Sequence, residues 1–382
     1  MKDLKLLVTL WPTFPHFEEY SNDTRLCGVR LNSAMVKVGD LGNLLQDAKN
    51  FNCRAPLYFD VKGKQLRVVE DHSDEDHLEV VINHPIEVKT PIPVLFKAGE
   101  DGAILKEVKD QTRLIFEGGP KYVVFPNESL HIRDPNLRVY GPTFLEDEIA
   151  KIEKAKQAGF DKFFLSYVQS QKDVDEFREY VGKAEVVLKI EDEKGLRYVA
   201  NEYRKQENTW LLAARGDLFV EVERPHQVTE ALKLIIDRDP EAGVGSRILL
   251  SLIAKEYFNV VDSNGELQLG RDGKAMINHK IILNPVPSCA DISDITWLYD
   301  IGYRKMMLCD EICLDGNLLG TAINVLGELS RDYGRGIQFN QAASQGRSPG
   351  LEETHAKGLG RLRKTNSELY KRNVSDNYGV RK

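Results

Sequence analysis

The chain has 382 residues, 42% of them apolar, with a formal net charge of -7 and five cysteines. That length can bury one large core and a second, smaller one. The acidic balance argues against a general nucleic-acid binder, and apolar runs such as Ile248 to Ala254 fall far short of the roughly 20 residues a membrane helix requires. The start MKDLKLLVTL carries no export signal. Cysteines without a CxxC pair suit reduced thiols, so a cytoplasmic protein is expected, with Cys309 and Cys313 read as buried thiols rather than half a metal site.

In chain order, apolar, β-branched runs alternate with helix-like stretches, the pattern of repeated βα units around a parallel sheet. Eight barrel strands are expected at Leu6 to Leu10, Cys27 to Leu31, Pro56 to Val61, Lys162 to Val168, Glu185 to Ile190, Trp210 to Ala214, Lys280 to Leu283 and Lys305 to Cys309. Between Val68 and Pro135 the rhythm changes to short runs such as LEVVI, IPVLF and RLIF, separated by turn residues, which predicts an inserted all-β domain. Its opening stretch, VEDHSDEDH at 69–77, holds five acidic residues and two histidines and is read as a solvated, mobile loop. Helices are expected at Asp147 to Ala158, Gln171 to Val181, Pro225 to Ile236 and Gly245 to Phe258, the last from helical spacing of apolar residues. The stretch EYFNVVDSNGELQLGRDGKAM, with its NG and DG turns, reads as an inserted hairpin beside the seventh strand.

The fold expected is therefore α/β, a TIM (β/α)8 barrel formed by 1–67 and 138–337, with a β domain at 68–137 inserted after strand 3. A basic tail follows at 338–382; from 347 onward it holds nine Lys and Arg against four Asp and Glu. It is read as a flexible end or an arm on a neighbouring subunit of a homo-oligomer, not as a nucleic-acid contact.

Chemistry gathers at two strand ends, and in a parallel barrel those ends form the active face. In VVLKIEDEKG, Lys189 and Glu191 alternate onto one face, and in LLAARGDLFVEVE, Asp217 follows a strand just after Gly216. A lysine among apolar residues must meet anions, and converging carboxylates want a cation. Lys189, Glu191 and Asp217 together suggest Mg2+ or Mn2+ holding a phosphate- or enolate-bearing ligand; for Lys189 with Glu191 a structural salt bridge is the alternative.

The order of segments resembles pyruvate kinase over roughly residues 5 to 335. VTLWP at 8–12 resembles TIGP, VRLNSAM at 29–35 resembles ARxNxSHG, and FDVKGKQLR at 59–67 resembles LDTKGPEIR. FFLSYVQSQKDVDEFREYVG resembles the strand and helix before the family's lysine, KIEDEKG resembles KIENxEG, and AARGDLFVEV resembles VARGDLGVEI. PSCADISD at 287–294 resembles PTRAEVSD, and MMLCDEI at 306–312 resembles VMLSGET. The resemblance implies that Lys189 neutralises a phosphoryl group in flight, that Glu191 and Asp217 hold a divalent metal, and that Arg30 contacts the transferred phosphate. It further implies Asn32 and Asp60 at a monovalent cation, Arg67 and Pro12 toward a nucleotide, and the backbone at Gly216 and Asp217 against a substrate carboxylate.

Departures qualify these expectations. Ala34 and Met35 replace a serine and a histidine, Lys64 and Gln65 replace a proline and a glutamate, and the case for potassium is weakened. Phe219 stands where the motif has glycine and would crowd the substrate loop. The family's ATQMLESM has no clean counterpart: GSRILLSL at 245–252 offers Ser246 but has helical periodicity, whereas a seventh strand at KIILN makes Ser288 the candidate catalytic hydroxyl. The chain ends where the family's C-terminal regulatory domain would begin, so control by that domain is not expected. The function expected is metal-dependent phosphoryl transfer between a phosphoenolpyruvate-type acid and a nucleotide. The alternatives are a lyase or aldolase using the same metal-enolate site, or a non-catalytic barrel scaffold.

Overall fold

The computed structural model describes residues 4–333 apart from 52, 74–77, 97–98, 100, 118–123, 263, 270–276 and 285. Its sheets belong to one compact unit, Met1–Arg331; of a second unit, Asp332–Lys382, only Asp332 and Tyr333 are described. The basic tail and the acidic core of the 69–77 stretch thus lie outside the described residues.

Eight parallel strands close into a barrel: β1 Lys5–Thr9, β2 Leu26–Asn32, β3 Leu57–Val61, β4 Lys162–Leu165, β5 Glu185–Ile190, β6 Thr209–Ala214, β7 Gly243–Gly245 and β8 Lys305–Met307. The protein is a TIM-type barrel. Nearly every strand residue is buried, because helices cover the outside and side chains fill the inside. A layer of Leu7, Tyr58, Phe164, Val187, Trp210, Leu212 and Met307 plugs the interior.

The helices start where side chains can satisfy their first free N–H groups. Ser170 caps Gln171–Val181 by accepting from Asp173, and Asp192 caps Glu193–Asn201 by accepting from Gly195. The expected helices at 147–158, 171–181 and 225–236 correspond to Glu146–Gln157, Gln171–Val181 and a 3-10 turn leading into Val228–Arg238.

Two expectations around the seventh strand fail. Lys280–Leu283 is not a barrel strand; it lies in Ile277–Leu283, which pairs antiparallel with Ile253–Asn259 in a two-stranded hairpin. The seventh strand is Gly243–Gly245, flanked by β6 and β8. Glycine is required there by crowding: a Cβ on Gly243 would lie 3.0 Å from both Leu212 and Trp210, and one on Gly245 would lie 2.8 Å from Met307. The helix expected over Gly245 to Phe258 is also absent, since Ser246, Arg247 and Leu249 hold φ of 58°, 55° and 54° and interrupt any right-handed turn.

Between β3 and β4 the chain builds a six-stranded antiparallel sheet, ordered Leu130–Ile132, Ile92–Phe96, Asp101–Lys109, Arg113–Glu117, Glu79–Ile82, Val68–Asp71. Alternating side chains such as Val80, Ile82, Val94, Phe96, Leu114 and Phe116 give it a core of its own. No described helix is long and apolar enough to cross a membrane.

Candidate active site at the barrel mouth

Strand β5 carries the centre of the site. Its two-residue period directs Glu185, Val187 and Lys189 along the barrel interior, from the amino-terminal end through the apolar plug to the carboxyl-terminal mouth, and Glu191 continues the series. Lys189 Nζ lies 2.7 Å from Glu191 Oε1 and 3.8 Å from Asp60, and donates to Ser166 Oγ at 2.9 Å. Asp60, at the end of β3 and fully buried, also accepts from Lys62 Nζ at 2.9 Å and Ser166 Oγ at 3.2 Å, and is ion-paired with Arg30 Nε at 3.3 Å. Arg30 reaches Asp310 at 3.1 Å, and Asn32 donates to the same carboxylate oxygen at 2.9 Å.

Three cations and their carboxylates therefore sit buried together. Burial alone would neutralise Lys189, but Asp60 and Glu191 hold its pKa above the ordinary value. Burial would likewise raise Asp60, yet Lys189, Lys62 and Arg30 hold it well below the usual carboxylate range. Burial pushes Lys62 down to about 8, incompletely offset by Asp60. Glu191 is shifted upward, first by burial and further by Asp217, with Lys189 opposing.

Glu191 is held by backbone as well: Tyr167, at φ 53°, donates its N–H to Oε2 at 2.6 Å. Asp217 lies in the first turn of Arg215–Glu221, the helix that follows β6. Two carboxylates, one of them buried beside a charge that disfavours its ionisation, make a fitting donor set for a hard divalent cation. Mg2+ commonly takes one or two carboxylates and completes its shell with substrate oxygens and water. No group of three or more potential ligands converges among the described residues. The monovalent site fits less well. Asn32 and Asp60 are register partners on β2 and β3, but their side chains are already engaged by Asp310, Lys62, Arg30 and Ser166.

The Gly216 N–H donates to Ser246 Oγ at 2.7 Å, and a Cβ at Gly216 would fall 2.5 Å from that oxygen, so only glycine permits the contact. Ser246 immediately follows β7 and is the hydroxyl at the mouth end of the seventh strand. Ser288 has another task. It caps Cys289–Asp300, its hydroxyl exchanging hydrogen bonds with Asp291, and its N–H donates to Ser251. The strand assignment that pointed to Ser288 has fallen, and none of its hydrogen bonds reaches the Lys189 group. Arg67 donates to the Asn127 carbonyl at 2.5 Å and to Gln65, and its charge is felt at Lys62. Pro12 is half-buried in the turn after β1. A cleft of about 470 Å³ opens between the six-stranded sheet and the barrel, lined by Lys64, Leu130, Arg133, Tyr167, Asp192 and Glu221 among others.

Sequence reasoning missed Lys62, Ser166 and Asp310. Lys62 had a signal, since it shares a face with Asp60 two residues earlier. Asp310 had none, because it replaces the glycine of the string that MMLCDEI resembles. His131 was missed too: it lies buried on Leu130–Ile132 and pairs with Glu221 at 2.6 Å, joining the sheet to the helix that carries Asp217.

The chain is thus a parallel (β/α)8 barrel with a β segment between strands 3 and 4 and a buried lysine–carboxylate cluster at its carboxyl-terminal mouth. A family model for "Pyruvate kinase, barrel domain" matches residues 94–248. The chain is 27% identical to "Pyruvate kinase" of Methanocaldococcus jannaschii over 348 residues, covering 87% of this chain and 69% of that protein. It is 25% identical to "Pyruvate kinase" of Thermoplasma acidophilum over 346 residues, covering 86% of this chain and 58% of that protein. Fold, ordered motifs and these matches together make the chain similar to the pyruvate kinases, at 27% and 25% identity to the two relatives.

Proposed function

We propose that the protein catalyses metal-dependent phosphoryl transfer between a phosphoenolpyruvate-type acid and a nucleotide, acting in the cytoplasm as a homo-oligomer. The observation that carries this reading is the Lys189 ammonium, held charged between Glu191 and Asp60 and facing the barrel mouth. Phosphoryl transfer requires little covalent chemistry from a protein; it requires cations placed where charge accumulates in the transition state. Lys189 would neutralise the phosphoryl oxygens, and Arg30, fixed by Asp60 and Asp310, would orient them. Glu191 and Asp217 would hold a divalent cation, which when bound supplies Lewis-acid stabilisation of enolate and phosphate oxygens. Asp60, Ser166 and Lys62 are positioning residues that keep Lys189 and Arg30 extended. The Gly216 backbone would bind the acid's carboxylate, with Ser246 rather than Ser288 as the hydroxyl beside it. Arg67, the segment 68–137 as a lid domain, and Pro12 would face the nucleotide.

The test is turnover of phosphoenolpyruvate with ADP and Mg2+, with and without K+, read through lactate dehydrogenase beside a Lys189→Ala control. Turnover that the substitution lowers by roughly 10²-fold or more is expected. Absence of turnover in both proteins would overturn phosphotransfer on this substrate and favour the lyase or scaffold alternatives.

A further inference from the structure

On the β6–β7 side of the mouth we infer a second anion subsite, made by Arg247 and Phe219, that selects a 2-oxo or enol acid carrying an extra carboxylate. This rests on the proposed reading for the position of the acid's first carboxylate at Gly216. The Arg247 guanidinium lies over the Phe219 ring, 5.0 Å from its centroid, and Arg247 Nε is 3.8 Å from where a Cβ on Gly216 would stand. The cation therefore borders the backbone that would receive the first carboxylate.

Two neighbouring arginines differ in what occupies them. Arg215 is engaged: one guanidinium nitrogen lies 2.7 Å from both oxygens of Asp294, and another donates to the carbonyls of Ser246 and Arg247. For Arg247 no carboxylate partner and no side-chain hydrogen bond occurs among the described residues. Its contact is the ring of Phe219, a large apolar side chain left 39% exposed. A guanidinium stacked on a ring keeps its edge N–H groups free, and that edge matches a planar carboxylate.

The loop is fixed so as to present this side chain. Ser246, Arg247 and Leu249 all hold left-handed backbone, which residues with a β-carbon disfavour. Ile248 and Leu249 are fully buried, and Arg215 anchors two of the loop's carbonyls from below. Neither member of the pair follows from the family strings that this chain resembles: Phe219 replaces a glycine there, and Arg247 stands in the segment that lacks a clean counterpart.

The experiment is titration calorimetry of the full chain with Mg2+, comparing pyruvate with ketomalonate, in which a carboxylate replaces the methyl group. The readout is the affinity ratio of the two acids in wild type, Arg247→Gln, Arg247→Lys and Glu191→Gln. A lost charge-assisted hydrogen-bond pair should lower the ketomalonate preference by roughly tenfold or more in Arg247→Gln. Arg247→Lys, which keeps the charge but not the flat edge, should fall between and covers the case in which the glutamine variant fails to fold. An unchanged ratio in both Arg247 variants, with binding still dependent on Glu191, overturns the subsite alone. Binding of neither acid by the wild type overturns the subsite and the acid-binding reading beneath it.

Discussion

The two ends of the barrel place charge on the same strand with opposite consequences. At the amino-terminal end, Glu185 of β5 accepts from Tyr58 and from the Trp210 indole at 2.8 Å each and pairs with Lys162 at 2.7 Å, while Lys305 lies 4.0 Å from the Trp210 ring centroid. That carboxylate is saturated by protein donors at the water's edge. At the other end, four residues further along, Lys189 joins a group in which Lys62, Arg30, Asp60 and Glu191 crowd together and each shifts the others' protonation. The apolar layer around Val187 separates the ends. One end is a structural plug, and the other is an ionic cluster assembled at a cost that folding alone does not explain, since buried ion pairs are seldom worth more than well-packed apolar groups.

The sharpest way to break this contrast is to remove one charge at each end. Lys189→Ala should cost roughly 10²- to 10³-fold in kcat, the range for deleting one preorganised group that stabilises transition-state charge. Glu185→Gln should leave kcat within a few-fold. Steady-state kinetics on both variants, with circular dichroism to confirm folding, decide the matter; equal losses would show that the ends are not functionally distinct. Next in size, Glu191→Gln should abolish measurable Mn2+ binding in calorimetry, and unchanged affinity would remove Glu191 from the metal site.

The amino-terminal end has its own signature in stability. Burial would raise the pKa of Glu185, but hydrogen bonds from Lys162, Trp210 and Tyr58 hold it below the ordinary carboxylate value. A depressed folded-state pKa contributes stability above the unfolded value and loses it as pH falls through the folded one. Glu185→Gln should therefore destabilise by about 1–2 kcal/mol at neutral pH, and the difference should shrink as the medium is acidified below the ordinary glutamate pKa. Thermal melts at several pH values test this, and a difference that stays constant into acid would rule out the depressed carboxylate.

Much of the carboxyl-terminal face was legible because its residues lie on strands with strong patterns. The run EVVLKI is apolar, β-branched and bounded by charge, so β5 was read to the residue, and its alternation put Lys189 and Glu191 on one face. β7 was illegible for a physical reason. Three residues, two of them glycines demanded by Trp210, Leu212 and Met307, leave no periodicity to read. The apolar string that follows has helical spacing, but its left-handed residues are set by tertiary anchors such as the Arg215 bonds to the loop carbonyls, which no local pattern records. The error moved the seventh strand by nearly forty positions and carried the candidate hydroxyl from Ser246 to Ser288. Asp310 was hidden differently, since a carboxylate among substitutions gives no sign that Arg30 and Asn32 converge on it.

The smallest expected effect bears on that displaced hydroxyl. Ser246 Oγ accepts the Gly216 N–H at 2.7 Å, so it fixes the backbone proposed to bind the substrate carboxylate, and in the proposed reaction it is also the candidate hydroxyl for proton transfer to the enolate. The two roles predict different kinetics. If Ser246 only positions Gly216, Ser246→Ala frees that N–H for the ligand and KM changes by a few-fold while kcat holds. If the hydroxyl assists proton transfer, kcat falls by roughly 10²-fold, the lower end of what a positioned acid or base contributes, and Ser246→Thr restores it. We expect the first pattern, because the contact the structure gives Ser246 Oγ is the Gly216 amide at the start of the helix Arg215–Glu221, a positioning contact. A fall in kcat with KM unchanged would instead make β7 a contributor of chemistry, and the remodelled side of the mouth would then share in the reaction as well as in selecting its substrate.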